Sequence, residues 1–178
     1  MDPLDLLLHP VRLRIVHVMA GYDTRTTADL CERLPDVPKT TLYRHVGVLA
    51  EAGVLEVVDE QRVHGAVERH YRLHRERTLI DNAVAEAMSL DDHRRAFAGA
   101  MASLLAEFNN YLDRDGADPA ADLVGYRQGI LWLTHDELAE TAQALRDVLA
   151  ARWTNQPTPG RRPHLVSVIG FPTEAQPG

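Results

Sequence analysis

The chain of 178 residues holds one cysteine, Cys31, and one lysine, Lys39, out of nineteen basic residues. A single thiol closes no disulfide within the chain and supplies no all-cysteine metal cage. No apolar run approaches the roughly 18 residues that a membrane span needs. The opening Met-Asp-Pro-Leu-Asp lacks the positive start of a secretory signal, so a cytoplasmic protein is expected. Motifs for catalysis are missing too. There is no glycine-rich phosphate loop, no Gly-x-Ser-x-Gly elbow, no His-Glu-x-x-His and no carboxylate pair in a glycine-bounded cleft. No catalytic residue and no cofactor is expected, and an enzyme is the disfavoured class.

What remains is an ordinary globular mixture, 45% hydrophobic and 25% charged. A formal net charge of −7 taken alone argues against nucleic acid. That charge is unevenly spread. Residues 1–75 carry ten Lys/Arg against eleven Asp/Glu, with six of the nine histidines; residues 76–178 carry nine against fifteen. Any anion-binding surface therefore belongs to the first half.

Along that half, His9-Pro10 opens a helix, and Val11, Ile15, Val18 and Met19 make one apolar stripe before Gly21. Thr26-Thr27-Ala28-Asp29 fits a capping box ahead of Leu30, Cys31 and Leu34. After the break Pro35-Asp36-Val37-Pro38, a second amphipathic helix buries Leu42, Val46 and Leu49, and Gly53 suits its left-handed end. Leu55 to Val58 and Val67 to Leu73 read as strands, joined by a polar loop from Asp59 to Gly65. Helix, turn, helix and hairpin together make a winged helix-turn-helix.

The solvent side of the second helix decides the partner. Lys39, Thr40, Thr41, Tyr43, Arg44 and His45 form a cluster of donors at its N-terminal end, where a recognition helix meets base edges and phosphates. Arg62 and His64 extend the surface onto the hairpin. Double-stranded DNA is the expected partner. An adaptor that binds proteins through the same fold is the alternative, and it should lack such a face.

Four stretches carry a family resemblance: His9 to Ile15 (HPVRLRI), Thr27 to Leu30, Thr41 to Leu49 (TLYRHVGVL) and Glu51 to Leu55. They resemble the ArsR-type winged-helix repressors over about residues 5–75. The resemblance implies a homodimeric bacterial transcriptional regulator, usually a repressor released by a ligand, that binds an inverted-repeat operator. Metal-sensing members place a Cys-x-Cys pair where this chain has Thr26-Thr27-Ala28, and one thiol gives little affinity for a soft metal. Core packing is the better reading of Cys31. His64, His70 and His74 keep a histidine-based metal sensor as a further alternative, with no metal ligand assigned.

The expected organisation is α+β and mostly helical. Residues 1–75 form the DNA-binding domain, and residues 76–178 hold dimerisation helices and a small strand–helix–strand unit. A wide apolar face runs from Leu79 to Met88, and Phe97, Met101, Leu104 and Phe108 follow near heptad spacing. Those four are expected in a seam between two chains. Leu123 to Leu133 and His164 to Phe171 read as strands around a helix from His135 to about Trp153, capped by Thr134 and Glu137. Tyr126, Trp132 and Trp153 are the expected lining for a small hydrophobic or aromatic effector.

Overall fold

The computed structural model describes residues 9–63, 65–78, 86–153, 155 and 158–173. Helix α1 spans Pro10–Ala20. His9 caps it, its Nδ1 accepting from the Val11 N–H at 3.2 Å, and proline occupies the first turn, where its missing N–H costs nothing. Strand β1 is only Arg25–Thr26, and α2, Thr27–Arg33, follows at once. The capping box forms as expected: the Asp29 N–H donates to Thr26 Oγ1 at 3.1 Å, and the Thr26 N–H donates to Asp29 Oδ2 at 2.8 Å.

Helix α3, Lys39–Glu51, ends at Ala52 and leaves through Gly53 at φ +70°. Gly53 donates to the Ala50 carbonyl and Val54 to that of Leu49, both at 2.9 Å, which satisfies the last carbonyls and needs a residue tolerant of positive φ. The chain then runs up β2, Leu55–Val63, and back down β3, Ala66–Leu73. The sheet has the order β1-β3-β2 and is antiparallel throughout, with one irregularity between Val57 and Asp59.

The hairpin corrects the sequence reading. The polar run from Asp59 is strand, paired in register until Val63 meets Ala66, and not a long loop. A wing stands clear of the core, so its backbone pairs without any need for apolar side chains. The two-residue β1 also went unread, since a ladder that short leaves no periodicity.

The core lies between the three helices and the base of the sheet. Ile15, Met19, Leu30, Leu34, Leu42 and Leu49 are fully buried, with Val37, Val46, Leu55, Tyr71 and Leu73 around them. Cys31 packs on the edge of this cluster as a free thiol. A single 3-10 turn, Arg75–Thr78, leaves the wing. Most of the expected Leu79–Met88 face lies outside the described residues.

Helix α4, Leu90–Leu112, is capped by a Ser89/Asp92 box and packs on α1. Gly99 and Ser103 are its buried positions, small enough to let the two backbones approach. Helix α5, His135–Trp153, has the expected Thr134/Glu137 box, yet none of its residues is buried. The flanking segments are a correction. Residues 123–133 and 161–173 contain no strand, so the strand–helix–strand unit does not form within this chain. Among the described residues, no helix is long and apolar enough to cross a membrane.

Candidate nucleic-acid interface

Helix α3 is held from behind. Leu42, Val46 and Leu49 lock it into the core, so its opposite side faces solvent in a fixed orientation. Pro38 precedes it and makes no side-chain cap, and the first-turn N–H groups of Lys39, Thr40 and Thr41 are left for an external acceptor. Lys39, Thr40, Tyr43 and Arg44 are exposed and Thr41 is half-buried. These five stand together as expected.

His45 does not stand with them. It is 5% exposed, its ring 4.3 Å from that of His9 between centroids, with Nε2 3.3 Å from Arg44 Nη2. Burial first, then the charges of His9, Arg44 and Arg12, pushes its pKa down to about 4. His9 is lowered for the same reasons, burial leading and Arg12 and Arg44 following. The pair is neutral at neutral pH and props the helix against the start of α1. Position 45 falls one residue before Val46, on the inward edge of the helix, and the sequence alone did not separate edge from face.

Two arginines of α1 were missed altogether. Arg12 and Arg14 are both buried, although a sequence reading places arginine in solvent. Arg14, 4% exposed, grips Asp36 with both terminal nitrogens at 2.6 and 2.7 Å and donates from Nε to Glu107 at 2.7 Å. Asp36 sits in the turn before α3 and Glu107 on α4, so one side chain ties α1, the turn and α4 together. The guanidinium holds the Asp36 carboxyl below its usual range.

On the wing, Arg62 is exposed and forms no ion pair among the described residues. Arg69, close by, is already paired with Glu60 at 2.8 Å. Arg62 is thus a wing cation available to a phosphate. His64 lies outside the described residues. His74 bonds to Glu56 at 3.3 Å, and no group of three metal-ligating side chains occurs among the described residues.

The expected effector lining does not converge. Tyr126, Trp132 and Trp153 are 74%, 82% and 62% exposed, so they do not enclose a pocket among the described residues. Of the three, Tyr126 alone meets another ring among the described residues, edge-on to Phe108 at 5.8 Å. Of the residues expected in a seam, Met101, Leu104 and Phe108 are half-buried and Phe97 is exposed, its ring 6.1 Å from that of Phe171.

Residues 7–58 match a family described as a helix-turn-helix domain. The match covers α1 to the first residues of β2, less than a third of the chain. No curated protein matches the sequence. With the wing strands in place, the first half is a winged helix-turn-helix domain of the DNA-binding kind.

Proposed function

We propose that the protein is a bacterial, ArsR-like transcriptional regulator that binds an inverted-repeat operator as a homodimer and represses from it. One observation carries this reading: α3 is buried on one side and offers Lys39, Thr40, Thr41, Tyr43 and Arg44 on the other, next to free first-turn N–H groups. An adaptor for proteins has no use for such donors. The seam of the dimer is assigned to Phe97, Met101, Leu104 and Phe108 on α4, whose buried side, at Gly99 and Ser103, is already taken by α1. A hydrophobic or aromatic effector belongs to the same proposal. Its site is completed where a second chain closes over Tyr126, Trp132 and Trp153, and its binding weakens operator affinity by linkage.

Selection of bound duplexes from a random pool, followed by gel retardation, tests the reading. The expected product is an inverted repeat whose affinity falls steeply as salt rises, because phosphate contacts release counterions. A protein that enriches no sequence and retards no duplex at low salt is not a DNA-binding regulator.

A further inference from the structure

Helix α3 starts without a side-chain cap, since Pro38 offers no oxygen to its first turn. The direction in which it starts is set by the turn before it, Pro35-Asp36-Val37-Pro38. Val37 anchors that turn from inside: its side chain is buried in the core, and its N–H donates to the Leu34 carbonyl at 3.0 Å. Asp36 anchors it from outside, its two oxygens receiving the terminal nitrogens of Arg14 at 2.6 and 2.7 Å. Prolines on both sides stiffen the backbone, so a shift of Asp36 is passed on to Lys39 and not absorbed.

The guanidinium that grips Asp36 is itself aimed from far along the chain. Its end fork takes Asp36, while Nε, on its side, donates to Glu107 Oε1 at 2.7 Å. A fork makes two parallel bonds only when its plane matches that of the carboxylate, so the acceptor on Nε decides how well Arg14 meets Asp36. Asn110, one turn along α4 from Glu107, places Nδ2 3.5 Å from Asp36 Oδ1. For stability alone, apolar side chains of similar volume would serve as well; a buried bidentate pair adds a single fixed register. Glu107 is largely buried and lies outside the matched residues 7–58. Being acidic, it has no attraction for a phosphate, so an effect on DNA must pass through Arg14.

We infer that Glu107, on α4 and outside the helix-turn-helix, is a positioning residue for the DNA-binding helix: through Arg14 and Asp36 it sets the angle at which α3 meets the bases. This rests on the proposed DNA binding and deepens it, by naming a residue of the second half that tunes the same surface. Non-specific binding draws on phosphate contacts, which tolerate a small rotation of the helix. Base readout depends on paired hydrogen bonds and does not. Loss of Glu107 therefore falls first on the preference for operator over other DNA.

The test uses the full chain, with operator and scrambled duplexes in gel retardation and circular dichroism to show that each variant is folded. Glu107→Ala should lower operator affinity roughly three- to thirtyfold and scrambled-duplex affinity by less than about twofold, the span of a residue acting at a distance. Glu107→Gln keeps an acceptor for Nε, so it should fall between Ala and wild type, and it carries the test if the Ala variant does not fold. Asp36→Ala should reproduce the loss, and the double variant should lose no more than the larger single one, because both cut the same link. An unchanged ratio of operator to scrambled affinity in the folded Glu107 variants overturns the inference, and so do additive losses. The amide resonances of Val37, Lys39, Thr40 and Thr41 give a readout that needs no DNA. They should move in the Glu107 variants and stay in place in Asn109→Ala, an exposed neighbour on α4. If the wild type retards no duplex while those amides move, the DNA reading falls and the positioning of α3 stands. Amides that stay in place overturn the positioning, whatever the DNA result.

Discussion

Residues 9–73 enclose thirteen buried hydrophobic side chains in one cluster, whereas α5 and its flanking segments, with a comparable share of apolar residues, bury none. Both regions show the periodicities that sequence reasoning looks for. Leu42, Val46 and Leu49 recur on one face of α3, and Leu138, Leu145, Val148 and Leu149 recur on one face of α5. The first set is buried in its own chain and the second is not. A periodic apolar pattern states that a face must be covered, and says nothing about which chain covers it.

The sharpest way to break this contrast is to remove the same side chain from each region. Leu49→Ala opens a cavity in a closed core and should cost about 2–5 kcal/mol in denaturant unfolding. Leu165→Ala, on an exposed residue, should change the stability of the dissociated chain by less than about 0.5 kcal/mol. Equal effects at low protein concentration would mean that α5 and its flanking segments have a core of their own.

Next in size is the tie between the winged domain and α4. Replacing Arg14 by Met leaves Glu107 charged and largely buried, and should cost about 3 kcal/mol, the low end for a broken buried pair because Asp36 is half-exposed. Adding Glu107→Met should restore part of that loss, measurable as a coupling in a double-mutant cycle. An additive pair would show that α1 and α4 are not coupled through Arg14 and Glu107.

The winged half was legible to the degree that local chemistry determined it. The His9-Pro10 start, the capping box at Thr26 and the glycine at position 53 all formed where their residue types require. What escaped was tertiary. Arg14 is buried because Glu107 of α4 and Asp36 supply partners far along the chain, and His45 is buried because His9 closes over it. The strands expected at 123–133 and 164–171 depend on a pairing partner, and pairing is not a property of a segment.

His45 turns this into a pH prediction. In the unfolded chain its imidazole takes a proton near 6.5, but in the folded chain not until about 4. Between those values the unfolded state binds more protons, so stability is full above pH 6.5 and declines as pH falls toward 4. The loss amounts to about 3 kcal/mol at most, at about 1.4 kcal/mol for each pH unit of displacement. His45→Phe, which cannot titrate, should flatten the stability profile over that window in urea titrations. The carboxylate of Asp36, held low by Arg14, acts only at more acid pH, because its contribution is present above the ordinary carboxylate pKa and fades below it. An unchanged slope in the His45→Phe protein would place the acid sensitivity elsewhere.

The smallest effects separate helix from wing on DNA. Arg44 projects from α3 without contributing to the hydrophobic core, so Arg44→Ala should leave folding nearly intact. If it reads a base edge, operator affinity should fall by about 1–3 kcal/mol and selectivity at that base should relax. Arg62 is exposed on the wing and suits a phosphate. Arg62→Ala should weaken operator and random duplex alike and lower the slope of log affinity against log salt by about 0.9, the share of a single phosphate. The two substitutions therefore differ in kind as well as in size: one changes which sequence is preferred, the other changes only how strongly salt competes. Retardation assays on the selected operator and a scrambled duplex, each at several salt concentrations, distinguish them. If Arg44→Ala lowered affinity for both duplexes equally and Arg62→Ala altered sequence preference, the wing and not α3 would be the reading element.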